Sequence, residues 1–212
     1  MADYNRVYLL AGPVGSGKST VGRIIEKEYN GSTAHFEMSD FVRNAYYAAK
    51  GGSSISDNGL GEWAAEQKDG DLGYFGQRLA RTLDTDSKAP DCIIVSGIRS
   101  PEEVVPFRTH FDNVTTLAVW TLPDIRFERK YGEMPSDTHE MWEPFMERNE
   151  RELDEWGCQY FYNNASISRA DQIVPNNGGK EKLRRTVRRV LAGDDLPYPF
   201  PHADAKRVRQ YL

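Results

Sequence analysis

The chain has 212 residues, a formal net charge of -5, and 39% hydrophobic and 11% aromatic residues. This suits one α/β domain with insertions and a proper core, while the acidic balance argues against a generally adhesive nucleic-acid binder. The two cysteines, Cys92 and Cys158, suggest neither a disulfide framework nor a zinc site, and no apolar run approaches membrane-spanning length; with no secretory-signal pattern at the start, a reducing, cytoplasmic setting without membrane contact is expected.

Val7 to Ala11 is a short apolar run of the kind that forms a buried parallel strand. It leads into Gly12-Pro13-Val14-Gly15-Ser16-Gly17-Lys18-Ser19, which fits G-x-x-x-x-G-K-S, and Val21, Ile24 and Ile25 then recur at helical spacing. Strand, glycine loop and helix are the context in which this motif, the P-loop, cradles phosphates. Gly12, Gly15 and Gly17 let the loop from Ser16 to Thr20 point backbone N–H groups inward, and the helix beginning near Lys18 adds its positive dipole end. Lys18 is expected at the β- and γ-phosphates of ATP, and the Ser19 hydroxyl on Mg²⁺. A glycine-rich turn that fits the pattern by chance is the competing reading; both flanks speak against it.

Ala34 to Met38 is the second strand candidate, followed by Ser39-Asp40-Phe41-Val42-Arg43 and an aromatic helix through Tyr46 and Tyr47. From Gly51 to Gly73 the chain is polar and glycine-punctuated, so a mobile insertion is expected within about 44–73. A helix through Tyr74, Phe75, Leu79 and Leu83 precedes the strand Asp91 to Ser96, which ends on Gly97-Ile98-Arg99-Ser100. Pro101 then opens a helix with Glu102 and Glu103 in its first turn, and Thr115 to Thr121 makes a fourth strand. The alternation implies a parallel sheet with helices on both faces. Ligands of such sheets bind at the carboxyl ends of the strands, and Gly12, Asp40 and Arg99 each follow a strand candidate.

The segment 124–157 carries Arg126, Arg129 and Lys130, then a helix from roughly Trp142 bearing Arg148 and Arg151. Arg148 and Arg151 have an ordinary reading as partners in i,i+4 pairs with Glu147, Glu152 and Glu155. In a phosphoryl-transfer enzyme the same arginines suit a lid that closes over the transferring group. Ala170 to Pro175 is a last short strand, and the helix after it carries Lys180, Lys182, Arg184, Arg185, Arg188 and Arg189 opposite Leu183, Val187, Val190 and Leu191. That basic face reads as solvated, with nucleic-acid contact as the alternative. Residues 1–193 are taken as one domain and 194–212 as a proline-rich tail; the scattered histidines, His35, His110, His139 and His202, are assigned no chemistry.

The chain resembles the nucleoside-monophosphate-kinase branch of P-loop proteins, and within it the small archaeal-type group of predicted nucleotide kinases related to dephospho-CoA kinase and adenylate kinase. The likeness rests on Gly12 to Ser19, Met38 to Arg43, Ser96 to Val104, Arg126 to Arg129 and Glu147 to Leu153, with Trp156-Gly157, Ala170-Asp171 and Asn176. It implies a three-layer fold with a five-stranded parallel sheet and a helical lid. Arg43 and Arg99 match arginines that hold the acceptor's phosphate, and Asp40 an acidic residue near the acceptor. Arg126, Arg129, Arg148 and Arg151 fall where the lid arginines lie. Ser96 stands where the pattern has an aspartate that supports magnesium through water, so either Asp40 supplies that carboxylate or the metal is held more loosely. The expected activity is ATP- and Mg²⁺-dependent phosphoryl transfer to a nucleotide or deoxynucleotide monophosphate. A hydroxyl acceptor, including a modified nucleoside within DNA, and a non-catalytic nucleotide-binding module are the alternatives. Base selectivity and oligomeric state are encoded in no motif.

Overall fold

The computed structural model describes residues 6–52, 54–85, 90–132, 141–147 and 170–196. Five strands, β1 (Arg6–Ala11), β2 (Thr33–Glu37), β3 (Cys92–Ile98), β4 (Asn113–Trp120) and β5 (Gln172–Pro175), form one sheet in the order β2-β3-β1-β4-β5. Every pairing is parallel. The expected five-stranded parallel α/β fold is therefore present. β1 sits at the centre and is buried on both faces, which is why its sequence is continuously apolar rather than alternating.

Alternation along the strands builds two cores. Tyr8 and Leu10 of β1, with Ile94 of β3 and Leu117 and Val119 of β4, face α1 (Lys18–Glu28), which adds Val21 and Ile25. The last helix described, α8 (Lys180–Leu191), lays Leu183, Val187 and Val190 on that same face. Cys92 belongs to this core; burial pushes its thiol up to about 12, so it is a small core residue, as its apolar setting in the sequence implies. On the other face Val7, Leu9, Ile93 and Val95 meet α2 (Met38–Lys50), α3 (Asp57–Lys68), α4 (Tyr74–Asp84) and α5 (Val104–His110).

The stretch expected to be an irregular, mobile insertion is largely α3. Ser56 caps it, its side chain accepting from the Gly59 N–H at 3.2 Å, and Leu60 and Trp63 are buried in the second core. Glycines at 59 and 61 dilute the helical pattern, and the spacing of Leu60 and Trp63 alone is too short a signal. After β3 the chain makes one 3₁₀ turn, Pro101–Glu103, before α5 begins at Val104. Ser100 caps that turn, and Glu103 is buried rather than placed in solvent. Helix α6 (Pro123–Tyr131) follows β4, and residues 141–147 form a further helical segment, α7, whose Trp142 and Phe145 pack on Phe127 of α6, both at 5.3 Å between ring centroids.

The connections from β1 and β3 leave on opposite faces: α1 packs on one core and α5 on the other. Since β1 and β3 are neighbours, their loops diverge and open a crevice at the carboxyl edge of the sheet, the place where parallel sheets bind ligands.

Candidate active site

Gly12 and Arg99 flank that crevice, for Ala11 and Ile98, the residues before them, are register partners. Gly12, Gly15 and Gly17 all have positive φ, at 140°, 78° and 96°. A Cβ at Gly17 would overlap the Asn176 amide nitrogen, and one at Gly12 the Val119 carbonyl oxygen. The loop is thus pressed against the ends of β4 and β5, and only glycine fits these two contacts.

The Lys18 ammonium lies over the loop, donating to the carbonyls of Gly12 at 2.7 Å and Pro13 at 3.1 Å. Beneath the loop, the Ser16 carbonyl accepts from Asn176 Nδ2 at 2.7 Å and Thr121 Oγ1 at 2.9 Å. Thr121 and Asn176 follow β4 and β5 directly: Asn176 stands just past the expected strand Ala170 to Pro175, whereas Thr121 is expected as the last strand residue and lies one position beyond the strand. Ser16 is fully buried, and its hydroxyl has no partner among the described residues.

Arg126 and Arg129 share a helix and differ in role. Arg126 is 2% exposed, and it donates Nε to the Thr121 carbonyl at 3.2 Å and Nη1 to the Val14 carbonyl at 3.1 Å. It braces the loop from below, whereas the resemblance implies a lid residue in contact with the nucleotide. Arg129 donates to the Asn176 carbonyl at 2.8 Å and Thr121 Oγ1 at 3.3 Å, and burial lowers its pKa from the ordinary arginine value. It lines a cavity of about 420 Å³ together with Gly15, Gly17, Lys18, Ser19, Thr20, Asn176 and Lys180. Arg148 and Arg151 lie outside the described residues.

On the other side of the crevice, Asp40 is exposed in the first turn of α2, and Arg43, one turn on, donates to the Ile55 carbonyl at 3.3 Å. Arg99 is fixed through its backbone: its N–H donates to the Glu103 carboxylate at 2.8 Å, and Lys68 of α3 approaches the same carboxylate at 3.5 Å. Glu103, only 2% exposed, therefore ties helix α3 to the loop that carries Arg99. Nothing in the sequence marks it apart from Glu102.

Ser96 of β3 has a partner in His35, one of the scattered histidines to which no chemistry is assigned from sequence. His35 Nε2 lies 2.7 Å from Ser96 Oγ, and its Nδ1 lies 3.3 Å from Glu26 Oε2. The basic face of α8 is partly accounted for internally: Arg184 and Arg188 both pair with Glu28 of α1, and Arg189 with Asp194.

The arrangement fits a nucleoside triphosphate with magnesium. The glycine cradle, the inward helix start and the unpartnered Ser16 hydroxyl suit an anion. Ser19 lines the same cavity, and magnesium beside phosphates takes only one or two protein oxygens. No group of three or more His, Cys, Asp or Glu side chains able to hold a metal occurs among the described residues, and none of the described helices is long and apolar enough to cross a membrane.

Among solved structures, the chain is similar to shikimate kinase from Bacteroides thetaiotaomicron, with a TM-score of 0.57 and 13% identity over 88% of this chain and 97% of that one. It is also similar to shikimate kinase from Acinetobacter baumannii in complex with shikimate, with a TM-score of 0.51 and 14% identity over 92% and 96%. At those identities the likeness is one of fold, the P-loop kinase fold. No family model matches the chain. A UPF0200 protein of Pyrococcus abyssi is 29% identical over 189 residues, covering 87% of this chain and 95% of its own. One of Pyrococcus furiosus is 30% identical over 191 residues, 88% of this chain and 96% of its own. With nearly the whole of both chains aligned at that identity, this chain belongs to the UPF0200 family.

Proposed function

We propose that the protein is an ATP- and Mg²⁺-dependent kinase that transfers the γ-phosphoryl group to a nucleotide or deoxynucleotide monophosphate. The observation that carries this reading is the pairing of two basic sides on one sheet edge: the loop cavity with Lys18 and Arg129, and across the crevice Arg43 and Arg99 with Asp40. A switch or simple ATPase needs only the first. Bound magnesium would neutralise charge between the transferring phosphates. Lys18 and the loop N–H groups hold the donor, Arg129 adds charge at the cavity wall, and Arg43 and Arg99 hold an acceptor already carrying a phosphate. Most of the rate then comes from positioning and charge neutralisation. The likeness in fold to shikimate kinases and the exposed Asp40 favour a second reading, a hydroxyl acceptor with Asp40 as general base.

An ADP-release screen over nucleoside monophosphates, dephospho-CoA, shikimate and hydroxymethylated DNA tests the class, with Lys18→Ala as control expected to lose roughly a hundred- to a thousandfold in rate. For a phosphate acceptor, Arg99→Ala raises the acceptor KM and lowers kcat, a misplacement of about an ångström costing on the order of a hundredfold, while Asp40→Asn keeps most of its rate. For a hydroxyl acceptor, Asp40→Asn loses about a hundred- to ten-thousandfold and Arg99→Ala keeps its kcat. The second pattern would overturn the assignment.

A further inference from the structure

In P-loop enzymes the loop serine or threonine shares magnesium with an acidic residue from a neighbouring strand end. Here Ser96, two residues before the end of β3, carries no charge, so an acid at this edge has to come from another position. Asp40 is on α2, whose Met38 and Val42 pack into the core on the face opposite α1. It belongs to the acceptor side. Glu37 is different. It is the last residue of β2 and the register partner of Ser96. Alternation places it on the same sheet face as His35, two residues before it.

That face is α1's. A Cβ built on Gly22 would overlap the His35 ring, so the ring fills the space that a glycine leaves in α1, one turn along from Ser19. Around the ring, Nε2 meets Ser96 Oγ at 2.7 Å and Glu37 Oε1 at 3.7 Å, and Nδ1 meets Glu26 Oε2 at 3.3 Å. Held from both nitrogens, the imidazole has one orientation under Gly22 of α1, beside the register partners Ser96 and Glu37. Ser96 is fully buried, whereas the Glu37 side chain stays 29% exposed. Glu37 therefore keeps contact with solvent, as a carboxylate acting through water must.

We propose that Glu37 is the acidic residue on the magnesium side of this site and that His35 is its positioning residue, an inference that rests on the phosphotransferase reading above. Ser96 supplies a neutral oxygen, Glu37 the charge, and His35 fixes the distance between them. A carboxylate acting on magnesium through its waters is worth about ten- to a hundredfold in metal affinity.

Calorimetric titration of the full chain with ADP, at a series of Mg²⁺ concentrations and without the metal, separates metal from nucleotide binding. Glu37→Gln is expected to bind ADP without magnesium as the parent does, which also shows that it folds. It should need about ten- to a hundredfold more Mg²⁺ to reach the half-maximal tightening of ADP binding. His35→Gln should shift in the same direction by a smaller factor, and Ser96→Asp added to Glu37→Gln should restore the parent's requirement. Glu37→Gln with the parent's magnesium requirement, or Asp40→Asn showing the loss in its place, overturns the inference while leaving the kinase reading standing. A parent chain that binds no ADP overturns both.

Discussion

At the scale of single residues, the loop depends on what lies beneath it as much as on the motif itself. Asn176 and Thr121 hold the Ser16 carbonyl, and Arg126 holds that of Val14, so three side chains from three later segments set a curve that the glycines only permit. Gly17 is where permission and contact coincide: its φ is 96° and a side chain would push into Asn176. Gly17→Ala is expected to destabilise the fold by about 1–3 kcal/mol and to abolish ADP binding, because shifting Asn176 releases Ser16. A melt and an ADP titration of the variant check it; binding at the parent's affinity would show that the brace from β5 has no part in shaping the loop.

At the scale of elements, α3 joins the core to the side proposed to hold the acceptor. Trp63 stacks edge-on with Tyr46 of α2 at 5.4 Å between ring centroids and meets Phe75 of α4 at 6.2 Å, while Lys68 at the far end reaches Glu103. Trp63→Ala should cost about 3–5 kcal/mol, as deletions of large buried aromatics do, and should weaken acceptor binding more than ADP binding. Ser56→Ala, which removes only the cap, should cost about 1 kcal/mol. Chemical denaturation with and without acceptor measures both. The contrast with the expected loose insertion has a plain cause: Leu60 lies between two glycines with Trp63 just past them, and the ring partners of Trp63, Tyr46 and Phe75, stand on other helices.

At the scale of the whole molecule, the first and last of the described helices are clamped on one face of the sheet. The Arg188 and Arg184 guanidiniums hold the Glu28 carboxyl below its ordinary value of 4.5, chiefly through the hydrogen bond from Arg188. A carboxyl depressed in the folded state stabilises it above the unfolded value, and that contribution is lost as the pH falls through the folded one. Glu28→Gln should therefore melt below the parent at pH 7, with the gap closing as the pH drops below about 4.5. A gap that persists unchanged into acid would mean that Glu28 acts through packing rather than charge. The clamp also brings Lys180, at the start of α8, to the wall of the loop cavity.

The fold class and the phosphate loop were legible because their signals are local. A buried central strand is apolar at every position, and the loop needs its glycines and lysine at fixed spacing, whatever the rest of the chain does. Gly12, Asp40 and Arg99 are legible on one edge for the same reason, since each position depends on a strand and the residues that follow it. What tertiary structure decided are relations across the sheet. That Arg126 is buried while Arg129 lines the cavity depends on how α6 meets β4 and β5. That His35 touches Ser96 depends on β2 lying beside β3, and on a glycine in α1 leaving room for the ring. Glu103 looks like its neighbour Glu102 until the 3₁₀ turn carries it inward to the Arg99 amide. Each is a contact between residues far apart in the chain or turned by a local bend, and a single sequence records which groups are present but not which of them meet.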